Sequence, residues 1–175
     1  GIRVEHREND YKVNDLRSAL DLLRSLPGQL IETDTEVEPM AELSGVYRHV
    51  GAGGTVMRPT KEGPAMIFNN IKGHPGARVA IGLLASRKRV AALLGGKPED
   101  LGQMLYRSVD HPIPPVVTKE PAPCQQVIHR ADEEDFDLYK LVPAPTNTPE
   151  DAGPYITMGM CYASDVETGE SDITI

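Results

Sequence analysis

Residues 151–175, DAGPYITMGMCYASDVETGESDITI, are the most informative stretch of the sequence. Along residues 155–164 apolar and small side chains alternate, as they do in a β-strand. One face of this predicted strand is typical of a core and consists of Ile156, Met158, Met160 and Tyr162. The other face leaves room for a flat ligand or a second sheet, because it holds only Thr157, Gly159, Cys161 and Ala163.

A polar, glycine-containing segment at residues 165–170 predicts a hairpin connection to a second strand at residues 171–175. Alternation in that strand places Asp172 and Thr174 on one face, where a carboxylate and a hydroxyl could hold a cation and a phosphate. The spacing alone favours the other interpretation, an edge strand whose polar face lies in water. The sequence ends in mid-pattern on apolar β-branched residues, so we expect it to be the front part of a longer protein.

Size and composition narrow the class of protein. At 175 residues and 19.1 kDa, the chain can form one domain with a core, or a domain and part of another. A net charge of −8 argues against general nucleic-acid binding. No apolar run approaches the ~18 residues that a membrane helix needs. Cys124 and Cys161 are too few and too far apart for a disulfide framework, so we expect a cytoplasmic protein.

Upstream of the decisive stretch, helix and strand patterns alternate along the chain. Residues 1–13 lack apolar periodicity and are predicted to form a flexible leader. Helices are predicted at residues 16–26, 40–49, 87–94 and 98–109, and strands at residues 29–37, 65–71 and 79–84. Asn14 or Asp15 caps the first helix, Pro39 opens the second and Ser86 caps the third. This alternation predicts an α/β domain over residues 14–120.

The second half of the chain is predicted to be less regular. Five prolines in residues 110–123 predict an extended crossing segment and a domain boundary. After it we expect a strand at residues 124–130, a solvated first helical turn at residues 132–137 and an irregular loop at residues 143–149. Such a loop is ordered only where something packs against it. The fold class is therefore mixed α/β (α+β in the broad sense), with a second unit from residue 121.

Recognisable catalytic and metal-binding motifs are scarce. The five histidines lack HxxxH or HExxH spacing, and the sequence contains neither GxSxG nor CxxC. The glycine-rich residues 51–54 follow a helix and lack a Gly-Lys-Ser/Thr ending, which favours a helix end and loop over a phosphate loop. Cys161 is expected to be a packed core thiol rather than a nucleophile. Four cations could bind an acidic ligand, although surface solvation explains them equally well: Arg48, Arg58, Lys61 and Lys72.

Four long strings resemble the UbiD family of prenylated-FMN-dependent (de)carboxylases. They are GVYRHVGAGGTVMRP at residues 45–59, GPAMIFNNIKG at 63–73, LVPAPTNTPEDAGPYIT at 141–157 and SDVETGESDITI at 164–175. The chain looks most like the members that act on hydroxybenzoates, such as the 3,4-dihydroxybenzoate decarboxylases. The resemblance runs from Asp15 to the last residue and corresponds to the front part of the family's longer sequence.

This resemblance implies an N-terminal α/β domain, and then, over residues 121–175, the first strands of a split β-barrel that binds prenylated FMN. By position, Thr157 lies beside the flavin, and Thr174 and Ile175 contact the cofactor. Asp172 is implied to be a ligand of the Mn²⁺ that bridges the cofactor phosphate, with K⁺ as a further candidate ion. Many members have Asn at the position of Asp172; both side chains offer an oxygen to a hard cation, but Asp adds a charge.

The implied activity is the non-oxidative, reversible decarboxylation of a hydroxybenzoate-type acid by the full-length parent protein. The catalytic residues are expected beyond Ile175, so we expect the 175 residues alone to be inactive. The implied partners are a small aromatic acid, a flavin prenyltransferase that supplies the cofactor, and further copies of the chain in a homo-oligomer; neither nucleic acid nor membrane is implied. The alternatives are a stand-alone flavin- or nucleotide-binding module and an assembly subunit without catalysis.

Overall fold

A computed structural model describes residues 13–52 and 62–175. The helices are α1 Leu16–Ser25, α2 Glu42–Ala52, α3 Arg87–Leu94, α4 Leu101–Asp110 and α5 Leu138–Leu141, with 3-10 turns at Pro98–Asp100 and Pro123–Gln125. The strands are β1 Leu30–Thr33, β2 Ala65–Phe68, β3 Val79–Ile81, β4 Cys161–Ser164 and β5 Ser171–Thr174. The predicted mixture of helices and strands is confirmed. Over the described ranges, no helix is long and apolar enough to cross a membrane.

The core of the first half is built around β2, whose four residues are all buried. This strand lies in the middle of a three-stranded sheet, parallel to β1 and antiparallel to β3. Ala65 and Ile67 pack with the buried leucines of α1 on one face, whereas Met66 and Phe68 pack with Leu43 of α2 on the other. The unbroken apolar run AMIF therefore reflects a strand that is covered on both faces.

Local capping signals define the ends of α1 and α3, as the sequence predicted. The Asp15 carboxylate accepts a 2.7 Å hydrogen bond from the amide of Ser18, and Ser86 caps α3 through the amide of Arg89. Gly95 ends α3 in the left-handed conformation, with φ 73°. Each of these residues satisfies backbone groups that the helix itself leaves without partners.

The start of α2 differs from the prediction. The helix begins at Glu42 rather than at residue 40, and Pro39 lies in the turn before it. Ala41 adopts a left-handed conformation with φ 65°, and its amide donates to the carbonyl of Thr146. This tertiary contact keeps residues 39–41 out of the helix. The helix ends at Ala52 rather than at residue 49, so Gly51 of the glycine-rich residues 51–54 lies within it. Residues 1–12 of the predicted leader and residues 53–61, which include Arg58 and Lys61, lie outside the described residues.

Residues 111–121 are exposed and lack helix or strand, which agrees with the irregular segment that the prolines predicted. The prediction of a strand at residues 124–130 was wrong, because these residues form turns and irregular structure. Pro123 opens a 3-10 turn, and the side chain of Gln125 accepts from the amide of Ala122, so the chain turns where a strand would have to run straight. The acidic residues 132–137 form turns instead of a helical turn. Asp137 then caps the short helix α5 by accepting from the amide of Tyr139.

One buried cation links several elements of the first half. Arg89 of α3 is only 1% exposed. Its guanidinium donates to the carbonyls of Gly82 and Leu83 after β3, to the Gly63 carbonyl before β2, and to the side-chain oxygen of Gln29 before β1, at distances of 2.8–3.2 Å. Burial lowers the pKa of Arg89, and the nearby Tyr47 and Glu62 oppose that change. A guanidinium remains charged in proteins, so these oxygens stabilise a buried positive charge.

We predict that Arg89→Met lowers the free energy of unfolding by about 3–5 kcal/mol, because it leaves several inward-facing oxygens without a donor. Urea denaturation followed by circular dichroism measures this change. The matched control is Arg87→Met on the same helix, where the side chain is exposed and the expected change is within about 0.5 kcal/mol. Equal effects of the two substitutions would show that the buried guanidinium has no special role.

Candidate functional site

A cavity of about 300 Å³ lies beside β3. Three segments form its walls. The first wall is residues 78–82, which include β3; the second is residues 142–145 with Asn147; the third is residues 155–158. Most of the lining is apolar, and the polar side chains among it are Arg78, Asn147, Tyr155 and Thr157. A concave, mainly apolar space with a few polar groups is typical of small-molecule sites, and this volume is at the small end of their range.

The second wall is a loop, residues 142–147, that is docked onto the first half of the chain; we call it the docked loop. Its Thr146 is 3% exposed, donates from its amide to the Pro39 carbonyl at 3.0 Å and accepts from the Ala41 amide at 2.8 Å. The Ser44 hydroxyl donates to the side-chain oxygen of Asn147 at 2.8 Å. The irregular loop predicted at residues 143–149 is thus present, and packing against α2 orders it.

The third wall, residues 155–158, is not the strand that the sequence predicted. Strand β4 covers only Cys161–Ser164, whereas Thr157 and Met158 form a turn. The amide of Tyr155 donates to the Pro145 carbonyl at 3.0 Å, which ties this wall to the docked loop. In the β4–β5 register Cys161 pairs with Thr174, so a partner for Thr157 would fall beyond position 175. Apolar and small side chains therefore alternate along residues 155–160, but within the described residues no neighbouring strand pairs with them.

The predicted hairpin is present as the antiparallel pair β4–β5. Asp172 lies opposite Ala163 and Thr174 opposite Cys161, so these four side chains share one face of the ribbon. The turn is held by Asp165, whose carboxylate accepts from the amides of Thr168 and Glu167; these bonds lower the pKa of Asp165. The shared strand face of Asp172 and Thr174, predicted from side-chain alternation, is therefore confirmed.

Both faces of this ribbon are exposed, which contradicts two expectations from the sequence. The face expected to be core is uncovered, with Met160 74% and Tyr162 70% exposed. Cys161 is a free, exposed thiol and not a packed core residue. The physical reason is that the described chain places no second layer against the ribbon. On the Tyr162 face, the hydroxyls of Ser171 and Ser164 lie 2.7 Å apart and lower the pKa of Tyr162.

The sequence suggested four cations as ligands for an acidic molecule, and only two of them lie within the described residues. Lys72 is paired with Glu38, and this contact raises the pKa of Lys72. Arg48 lies in α2, whereas Arg58 and Lys61 fall in the gap between the described ranges. Within residues 13–52 and 62–175, no group of three His, Cys, Asp or Glu side chains could hold a metal ion.

Three residues that line the cavity or hold its docked loop in place were not predicted from the sequence. Gly82, which lines the cavity, has φ 78°, and a Cβ there would overlap the ring of Tyr47 in α2. Asn147 and Thr146 fix the docked loop through partners about a hundred positions earlier in the chain. A glycine directly after a short apolar run could have indicated Gly82. No local signal marks the other two residues.

Comparison with known proteins identifies the family. The family model of the 3-octaprenyl-4-hydroxybenzoate carboxy-lyase N-terminal domain matches residues 20–109, and that of the carboxy-lyase Rift-related domain matches residues 115–175. The chain belongs to the UbiD family, which confirms the resemblance seen in the sequence.

Individual relatives have related activities. The chain is 53% identical over 162 residues to the gallate decarboxylase of Lactiplantibacillus plantarum, covering 92% of this chain and 33% of that protein. The apo structure of a 3,4-dihydroxybenzoic acid decarboxylase from Enterobacter cloacae superposes with a TM-score of 0.86 at 55% identity, over 94% of this chain and 34% of that one.

A more distant structure contains a cofactor. It is the UbiD-class enzyme HmfF from Pelotomaculum thermopropionicum, an evolved dimeric form in complex with prFMN. Its TM-score is 0.75 at 28% identity, over 90% of this chain and 34% of that one. The chain thus spans about a third of the length of the relatives that it matches.

We predict that Gly82→Ala lowers the free energy of unfolding by about 1–3 kcal/mol more than Gly76→Ala does. Both glycines have φ 78°, so both substitutions carry the same backbone cost of about 1–2 kcal/mol. Gly76 has open space around the position of a Cβ, whereas Gly82 faces Tyr47, so only Gly82→Ala adds an overlap. Paired urea denaturation curves measure the difference. Identical curves would mean that the Tyr47 ring does not restrict a side chain at position 82.

Proposed function

We propose that this chain is the N-terminal part of a prFMN-dependent decarboxylase that acts on a hydroxylated benzoic acid such as 3,4-dihydroxybenzoate or gallate. The observation that carries the proposal is the close match, in sequence and in backbone, to the decarboxylases of these two acids. The reaction class is non-oxidative, reversible carboxy-lyase chemistry. The active protein includes further residues beyond this chain, since the relatives are about three times as long.

The proposed domain division follows the change in architecture along the chain. Residues 14–120 form the α/β domain around β2, and residues 121–175 begin the flavin-binding split barrel. The support is that the three-stranded sheet lies entirely before the extended proline-rich segment and the β4–β5 ribbon entirely after it. We further propose that the protein works in the cytoplasm as a homo-oligomer and receives its cofactor from a flavin prenyltransferase.

The residues proposed to hold the cofactor are Thr157, Asp172, Thr174 and Ile175. Bound prFMN would supply the electron sink for loss of CO₂. Thr157 would form one wall of the flavin site, which is supported by its place in the lining of the cavity. On the ribbon, Thr174 would donate a hydroxyl hydrogen bond, and Ile175, which follows it, would contribute backbone or side-chain contact. The small side chains opposite, Ala163 and Cys161, leave this face open to a ligand.

Asp172 is proposed as one ligand of Mn²⁺, with K⁺ as the alternative ion. Its carboxylate is exposed, and one of its oxygens accepts a hydrogen bond from the Ile173 amide at 2.8 Å; a carboxylate has about four lone-pair sites, so it retains capacity for a cation. One carboxylate provides far fewer than the about six oxygen ligands that a hard divalent cation takes. The described residues therefore fit a metal only as a partial site, and its other ligands would come from residues beyond this chain.

The proposed activity is tested by CO₂ release from 3,4-dihydroxybenzoate and from gallate by the full-length protein loaded with prFMN. We expect turnover of at least one of these acids by the loaded protein. Protein prepared without prFMN should show no turnover. Residues 1–175 produced alone should release no CO₂ under the same conditions. Flavin binding by the full-length protein without turnover of any hydroxybenzoate would contradict the proposal and favour a binding module.

The role of Asp172 predicts how much cofactor the full-length protein keeps. Asp172→Ala should lower prFMN retention in the presence of Mn²⁺ about tenfold or more, because it removes an oxygen ligand, whereas Asp172→Asn should retain most of the cofactor. Flavin absorbance after desalting measures retention. Glu167→Gln, an equally exposed carboxylate in the hairpin turn, is the matched control and should resemble the unsubstituted protein. Unchanged retention in Asp172→Ala would rule out its role as a ligand.

A further inference from the structure

We propose that Ser44 and Asn147 are positioning residues: their hydrogen bond fixes the cavity wall that carries Thr157, and so sets how tightly a flavin is held there. This inference rests on the proposed function for the identity of the ligand. The positioning itself rests on contacts between the two halves of the chain.

The first step is the attachment of the docked loop to α2. The Ser44 hydroxyl, in the first turn of α2, donates to Asn147 at 2.8 Å across 103 positions of sequence. Beside it, Thr146 is buried and exchanges two backbone hydrogen bonds with Pro39 and Ala41. A buried residue that is hydrogen-bonded through both backbone groups cannot shift without losing those bonds. The end of the docked loop is therefore fixed relative to α2.

The second step connects the docked loop to the third wall of the cavity. Residues 148–151 form a closed turn, in which the Thr148 amide donates to the Asp151 carboxylate and the Asp151 amide donates to the Thr148 carbonyl. The chain then returns to the docked loop, where the amide of Tyr155 donates to the Pro145 carbonyl at 3.0 Å. Thr157 follows two residues later. Displacement of Asn147 and Pro145 would therefore displace the wall that carries Thr157.

Backbone strain marks the same place. Ala41 has φ 65°, a conformation that residues other than Gly, Asn and Asp seldom adopt. In this conformation its amide points to the Thr146 carbonyl at 2.8 Å. Strain of this kind persists only where the surrounding contacts require it, and it occurs often at ligand sites. The strained residue is thus part of the attachment that we assign to positioning.

A second contact near the docked loop provides an internal control. Nδ1 of His74 lies 3.1 Å from the carbonyl of Lys140, at the other end of the segment that leads into the docked loop. This contact also joins the two halves of the chain. It is exposed and is separated from Tyr155 by the whole docked loop. Loss of the His74–Lys140 contact would loosen the segment before the docked loop, but it would not displace the wall that carries Thr157.

The test is hydrogen–deuterium exchange of the flavin-free, full-length protein. We expect Ser44→Ala and Asn147→Leu to speed exchange of the Tyr155 amide about fivefold, the effect of losing one typical hydrogen bond. Asn147→Asp keeps the oxygen that Ser44 donates to and should exchange at the unsubstituted rate. His74→Ala should leave the Tyr155 amide unchanged, and peptides covering β2 should be unchanged in all four variants.

A second readout is the Kd for FMN, measured by quenching of flavin fluorescence on the same full-length variants. Ser44→Ala and Asn147→Leu should bind FMN about fivefold more weakly, and His74→Ala and Asn147→Asp should bind it normally. Unchanged exchange of the Tyr155 amide in Ser44→Ala and Asn147→Leu would overturn the inference. So would an equal increase of that exchange in His74→Ala. Faster exchange in Ser44→Ala and Asn147→Leu with unchanged FMN affinity would also overturn it. If the unsubstituted protein binds no flavin, the proposed function and the flavin part of this inference fail together, while the exchange data still decide the positioning contact.

Discussion

The buried guanidinium of Arg89 is the constraint on which the first half of the structure depends. A buried charge is stable only if its hydrogen bonds are made, and here the acceptors come from the chain before β1, before β2 and after β3. The three strands therefore cannot be placed independently of α3. Gly82, whose carbonyl accepts two of these bonds, also lines the cavity, so the same constraint reaches the candidate site.

The candidate site is a junction between two halves with different organisation. The first half supplies a rigid wall, since β3 belongs to a sheet that is packed on both faces. The second half supplies two walls without regular structure, which gain their order from hydrogen bonds to residues 39–44. Binding sites are commonly built from loops that a rigid scaffold positions, because loops tolerate changes of sequence that a packed scaffold does not.

The sequence predicted those parts of the fold that depend on near neighbours. Asp15 and Ser86 bind amides three residues away, and the run at residues 65–68 is apolar because both of its faces are covered. Features that depend on distant partners were not predictable. Arg89 looks like one of several surface cations until its acceptors, up to 60 residues away, are known. The strand predicted at residues 155–164 is present only at its end, β4, for the same reason: alternation shows a period but not a partner strand.

For the site itself, the common face of Asp172 and Thr174 was predictable from side-chain alternation, and the structure adds that Thr157 lines a cavity. The most direct measurement of the central claim is a structure of the full-length protein with FMN and Mn²⁺ bound. The account predicts flavin atoms within about 4 Å of Thr157 and a metal ion coordinated by the Asp172 carboxylate. A flavin bound elsewhere, with Thr157 and Asp172 both facing solvent, would contradict it.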